Sequence, residues 1–197
     1  MEMVSFISLH GLTILFCACE LWSYHISRRI QSRGNFVLRS VAEDFGRQEY
    51  WQEFYKSSSS EGFSWYAEWR ELEPFIGEWA EKDFDILIPG IGSDTLVRDM
   101  YDSGYHSICA FDYAKESIEF CRNMLKERPV DLIVADATNL DFKSSSFDMI
   151  LDKGTFDAIF ISGKTELEKR EKLFEAVAEL QRLQHLHNTI SFALVVA

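Results

Sequence analysis

From residue 84 onward, apolar and polar positions fall into blocks that alternate between the two regular periods. Ile86 to Ile88 form an unbroken apolar run, the signature of a strand buried on both faces. Asp94 to Tyr101 shows helical spacing, with Leu96, Val97 and Met100 on one side and Gly104 as the stop. Ser107 to Phe111 is the next apolar strand, ending at Asp112. Lys115 to Arg128 is an amphipathic helix through Ile118, Cys121 and Leu125, closed by Pro129. Val130 to Ala135 and Phe147 to Leu151 are further strands, ending at Asp136 and Asp152. A helix over 167–184 opens with Thr165-x-x-Glu168, a capping-box pattern, and Thr189 to Val196 reads as a last β-branched strand. Strands alternating with helices predict an α/β domain with a mostly parallel, helix-covered sheet. Such sheets bind ligands at the carboxyl ends of their strands, and Gly90, Asp112, Asp136 and Asp152 all fall there.

Upstream the pattern changes. Between Tyr50 and Trp69 lie Trp51, Phe54, Tyr55, Phe63, Trp65 and Tyr66, more aromatic surface than one helix face needs. Two readings stay open from spacing alone: core packing, and a lid whose ring faces cover a flat or cationic ligand. Residues 3–19 carry no formal charge, and Arg28, Arg29, Arg33 and Arg39 follow. A membrane anchor, an organelle leader and an extra helix compete there; a secretory signal lacks its basic start and a clear cleavage site. The chain is therefore divided into an apolar segment and Arg-rich linker over 1–45 and a folded domain over 46–197.

Charge sharpens this division. Residues 1–40 hold four arginines against Glu2 and Glu20, while the rest holds 16 basic and 30 acidic residues, within a net charge of −12. A body that acidic argues against nucleic acid as partner and suits a basic protein surface. Cys17, Cys19, Cys109 and Cys121 show no zinc spacing and read as free thiols, so no metal is expected.

The most informative stretch runs from Phe84 to Arg98: a strand, a tight turn with Gly90 and Gly92, then a helix start. Such a turn lets backbone N–H groups approach a ligand closely. Asp112 lies 22 residues beyond Gly90 at the next strand end, where a carboxylate accepts both hydroxyls of a ribose. A dinucleotide site wants a third glycine near the helix start, and Thr95 stands there instead. Asp136 could take the exocyclic amine of adenine while Ala137 reads the ring edge. A mononucleoside such as S-adenosylmethionine fits these features better than NAD.

The runs Ile-Pro-Gly-Ile-Gly-Ser, Phe-Asp-Tyr, Ala-Asp-Ala-Thr-Asn-Leu-Asp-Phe and Phe147-Asp-Met-Ile-Leu-Asp-Lys-Gly-Thr-Phe-Asp-Ala158 resemble the seven-strand S-adenosylmethionine-dependent methyltransferases over roughly residues 48–182. Within them, the Asp-Lys-Gly-Thr-x-Asp-Ala run looks like the elongation-factor-1-alpha lysine methyltransferases (the methyltransferase-like 13 kind) and the nearby citrate synthase lysine methyltransferase. The resemblance implies a Rossmann-like class I methyltransferase sheet with S-adenosylmethionine as cofactor. It implies that Trp51, Tyr55 and Trp65 close over the cofactor, with Gly90 at the methionine part and Gly92 beside it in the cofactor-binding turn. Asp112 and Tyr113 would meet the ribose, Asp136 and Ala137 the adenine, and Lys153 the inner edge of the pocket. The implied acceptor is a protein with an accessible lysine, elongation factor 1-alpha by analogy, in the cytoplasm; membrane-anchored and mitochondrial placements are the alternatives.

Two expectations depart from the family. Relatives usually turn through Pro-Gly-Gly into the fifth strand and continue, whereas this chain runs Leu183-Gln-His-Leu-His-Asn-Thr189 and stops at Ala197. The sheet is expected to be truncated after the fifth strand, and a catalytically weak form that binds cofactor or a partner is the first rival to full activity. A small-molecule methyltransferase is the second. No catalytic base is named, because displacement from a sulfonium needs only a neutral amine. His185 and His187 read as solvent-facing.

Overall fold

The computed structural model describes residues 45–57, 62–65 and 67–184, together with the backbone of 4–9, 12–17 and 192–194. Near the start, β1 (Val4–Leu9) and β2 (Leu12–Cys17) pair antiparallel, with Leu9 opposite Leu12. The backbone there is extended, in place of the helix that an anchor of that length would need. Among the described residues, no helix is long and apolar enough to cross a membrane. Residues 185–191, with His185 and His187, lie outside the described residues.

The body is built on β3 (Ile86–Pro89), β4 (Ile108–Asp112), β5 (Asp131–Val134), β6 (Met149–Asp152) and β7 (Phe192–Leu194). Their order in the sheet is β5-β4-β3-β6-β7, and every neighbouring pair is parallel. The chain winds outward from β3 through β4 to β5, then crosses back to lay β6 on the other side of β3. That reversal puts the switch-point crevice between β3 and β6, at their carboxyl ends.

Alternation along the central strands builds two cores. Ile86 and Ile88 point to one face, with Trp69, Leu72 and Ile76 of α2 (Trp69–Ile76), Leu96, Val97 and Met100 of α3 (Leu96–Asp102), and Ile118 of α4 (Lys115–Leu125). Leu87 and Ile150 point to the other, with Phe156 of α5 (Thr155–Ile161) and Leu180 and Leu183 of α6 (Glu166–Leu183). The central strands β3, β4 and β6 alternate in side-chain direction with helices on both sides, which explains why they are buried throughout and apolar up to the aspartates that end β4 and β6.

Caps set the helix ends. After α3, Gly104 (φ +99°) donates to Tyr101 O and Tyr105 N–H donates to Met100 O, a Schellman stop at the glycine singled out by the sequence. At α6, Thr165 Oγ1 accepts from Glu168 N at 3.1 Å, but the Glu168 carboxylate reaches back to Lys164 N rather than closing the box on Thr165. Besides α1 (Gln48–Ser57), two short helices were not visible in the apolar pattern. One is α2, opened by Glu68 and Glu71, which accept reciprocally from each other's backbone. The other is α5, whose Thr-Phe-Asp-Ala-Ile-Phe-Ile run has strand-like composition; left-handed Gly154 turns the chain into a helix there.

Candidate functional site

Beyond β3, Gly90 and Gly92 take positive φ values of +55° and +59°. The Gly92 peptide is held from three directions: its N–H donates to Asp112 Oδ2 at 2.9 Å, and its carbonyl accepts from Ser117 Oγ at 2.7 Å and Cys121 Sγ at 3.3 Å. Ser117 and Cys121 are one turn apart on the buried face of α4, so this helix braces the turn as well as filling the core. The signal was present as an i, i+4 polar pair on an apolar face, but only the fold shows what it faces. Burial pushes the Cys121 thiol up to about 12, with Asp112 and Asp94 adding to it; Cys109 is raised to about 12 by burial and Asp131. Both are buried free thiols, unsuited to nucleophilic work.

Asp112 ends β4 and is almost fully buried. Its Oδ1 accepts from Ala114 N at 2.8 Å, and its carboxylate also lines the cavity. Burial raises its pKa, and the N–H groups of Ala114 and Gly92 oppose that rise. Across the crevice, Thr155 Oγ1 donates to Pro89 O at 3.0 Å and sits so close to Gly90 that a Cβ there would lie 2.0 Å from it. Gly90 is therefore required by both its dihedral and its neighbour.

An aromatic layer closes the top. Trp51, on α1 (Gln48–Ser57), stacks on Phe45 at 5.6 Å and on Tyr55 at 5.9 Å, and meets Trp65 edge-on at 5.5 Å. Its Nε1 donates to Phe45 O at 2.7 Å. Phe45 is in place because Gly46 lies against the end of α5, where a Cβ would come within 2.5 Å of Ser162 Cα. Neither residue carried a signal in sequence.

These groups enclose a cavity of about 300 Å³. Trp51, Tyr55, Trp65, Gly90, Asp112 and Tyr113 line it, joined by Phe45 and by α5 through Thr155, Asp157, Ala158, Phe160 and Ile161. Gly92 stands behind the lining, against the Tyr55 hydroxyl. Burial pushes the Tyr55 phenol well up, with Asp112 next among the causes. Lys153 also lines the cavity, but its ammonium is committed to the protein: it donates to Ser64 Oγ at 2.7 Å, to Ala67 O at 2.9 Å and to the Asp94 carboxylate. Its three protons are thus taken by three acceptors of the protein, and it stands at the edge of the cavity, where the resemblance placed it.

The two residues assigned to adenine lie elsewhere. Asp136 is exposed and turns onto its own chain, accepting from Thr138 N at 2.8 Å and Thr138 Oγ1 at 2.7 Å. Ala137 is buried in the second core. Both follow β5, the edge strand, one place further from the crevice than β4. Tyr113 stands between: its phenol is raised by burial, then by Asp112 and Asp136.

The fold and cavity thus define a switch-point binding site in an open parallel sheet, of the size and apolar lining typical of small-molecule pockets. The chain belongs to the methyltransferase-domain family, whose model matches residues 87–186 and whose cofactor is S-adenosylmethionine. It is similar to the eEF1A lysine and N-terminal methyltransferase homolog of Drosophila melanogaster, 34% identical over 132 residues, covering 66% of this chain and 20% of the relative. It is also similar to the eEF1A lysine and N-terminal methyltransferase of Homo sapiens, 25% identical over 160 residues, covering 80% and 23%. The chain spans about a fifth of the length of these curated relatives. Among solved structures, the CcbJ methyltransferase of Streptomyces caelestis shares the fold at TM-score 0.52 and 14% identity, covering 73% of this chain and 54% of that one.

The residues present fit an adenosyl sulfonium. A buried carboxylate at the cavity wall suits vicinal hydroxyls, a glycine turn with no room for Cβ leaves backbone exposed to a close ligand, and aromatic rings with nearby carboxylates suit a positive centre.

Proposed function

We propose that the cavity holds S-adenosylmethionine and that the domain transfers its methyl group to an amine on a protein, first of all a lysine of an elongation-factor-1-alpha-like substrate. The observation that carries the substrate class is the match to relatives named for eEF1A lysine and N-terminal methylation, with the cavity geometry supporting the cofactor. The bound cofactor supplies an activated methyl group whose sulfur leaves as a neutral thioether.

Asp112 holds the ribose and Tyr113 flanks it, while Gly90 keeps the turn open to the methionine part. Trp51, Tyr55 and Trp65 shut out water and offer ring faces to positive charge. The β6 end, with Thr155, Asp157 and Ala158, forms the side from which an acceptor approaches. Alignment and desolvation carry the rate, since the nucleophile need only be a neutral amine. The acidic body draws a basic surface toward the mouth.

A protein α-amine is the second reading, favoured by the words "N-terminal" in the relatives' names. Incubation with labelled S-adenosylmethionine and cell extract, followed by peptide mass analysis, tests both. Label on a lysine side chain supports the first reading and label on a terminal amine the second. Label confined to small molecules, or no label despite cofactor binding, overturns protein methylation.

A further inference from the structure

The cofactor reading leaves a buried ion pair without a part in it. The Lys153 and Asp94 side chains are each 6% exposed, and their partners come from segments distant in sequence. Asp94 belongs to the glycine turn and is itself oriented by Leu96 N–H, which donates to its Oδ1 at 2.9 Å. Ser64 and Ala67 belong to the strap over the cavity, and Ser64 Oγ also donates to Ala67 O at 3.0 Å. At its other end the strap is tied by Phe63 N–H to Ser93 O at 2.9 Å, where Gly62 has no room for a Cβ. Trp65 sits between these two attachments, with its ring on Phe63 at 4.9 Å and on Phe45 at 5.4 Å.

A buried ion pair is a poor source of net stability, because desolvation offsets most of the attraction, yet it strongly disfavours arrangements that separate the charges. Here separation would strand a carboxylate and an ammonium under the aromatic roof. We infer that Lys153 is a positioning residue: it ties the strap, and Trp65 with it, to the glycine turn, so that the roof exists before any ligand arrives. The reading of the cavity as the S-adenosylmethionine site gives this its functional meaning. A roof built in advance raises affinity by removing the ordering that binding would otherwise require.

The test uses fluorotryptophan-labelled protein, with the Trp65 signal assigned through Trp65→Phe, and calorimetry with S-adenosylmethionine. Asp94→Asn with Lys153→Met removes both charges and leaves no stranded ion; Ser64→Ala keeps the ion pair and deletes one strap acceptor. In ligand-free protein the Trp65 fluorine signal should move toward its solvent-exposed position in both variants, further in the double one. Cofactor Kd should rise about tenfold in the double variant and by a smaller factor in Ser64→Ala. An unmoved Trp65 signal in the folded double variant overturns the inference; should that variant not fold, an unmoved signal in Ser64→Ala does so. Failure of wild-type protein to bind S-adenosylmethionine would overturn the cofactor reading instead, while the ligand-free Trp65 signal still decides the role of Lys153.

Discussion

Asp152 gives the sharpest test of the electrostatics at the crevice. It ends β6 with no exposed surface, its Oδ1 lacks a hydrogen-bond partner, and its Oδ2 accepts at long range, at 3.3 Å from Gly154 N and 3.5 Å from Phe156 N, with the Thr155 side chain beside it. Burial raises its pKa to about 7, opposed by the Phe156 N–H and helped by Asp157. An unfolded aspartate titrates near 3.9, so between roughly pH 4 and pH 7 the native chain holds one more proton than the unfolded chain. Stability from this group is complete below the unfolded value and is lost as pH rises through the native one, at about 1.4 kcal/mol per pH unit. Asp152→Asn cannot titrate. Its stability relative to the parent should therefore grow by about 3 kcal/mol from pH 5 to pH 8. Asp112 is raised as well and contributes the same sign in both proteins, so it cancels. Asp102 and Glu179 are lowered by hydrogen bonds from Arg128 and Arg182, and their contribution is lost only as pH falls into the acid range. Urea unfolding followed by tryptophan fluorescence at pH 5, 6, 7 and 8 measures the difference. A difference that stays constant with pH, or one that moves against the variant, would refute the reasoning.

Further outcomes follow from the cavity walls. Gly90→Ala meets both φ +55° and Thr155 Oγ1, so it should lose about 2–4 kcal/mol of stability and most cofactor affinity; Thr155→Ala in the same chain should restore part of the loss, read from a double-mutant cycle. Gly46→Ala drives a Cβ into the Ser162 backbone, and weaker cofactor binding together with a lower unfolding midpoint should result. Trp51→Ala removes the hub of the aromatic layer and should destabilise by about 3 kcal/mol while weakening cofactor binding; intact affinity in a folded variant would reduce the aromatics to core packing.

How much of this was legible in sequence depends on the range of the interaction. The central strands β3, β4 and β6 could be read because burial on both faces leaves apolar runs that need no partner to be recognised, and the largely exposed edge strand β5 could be read from its short run of Leu132, Ile133 and Val134. Gly90 and Asp112 could be placed because a turn and a strand end are local features, and both line the cavity. Phe45, Gly46 and Ser162 gave no warning, since their contact joins the two ends of the aromatic layer through tertiary packing. Asp94 read only as a helix opening, and its pairing with Lys153 across 59 residues left no periodic trace. Asp136 was placed by analogy of strand ends; it follows the edge strand, outside the cavity lining, and its carboxylate caps a turn of its own.

Calorimetric titration of wild-type protein and Asp112→Ala with S-adenosylmethionine tests the central claim most directly. The account predicts one bound cofactor per chain and a loss of at least about tenfold in affinity when the carboxylate is removed. Equal affinity in the two proteins, or a folded wild-type domain that takes up no cofactor, would contradict it.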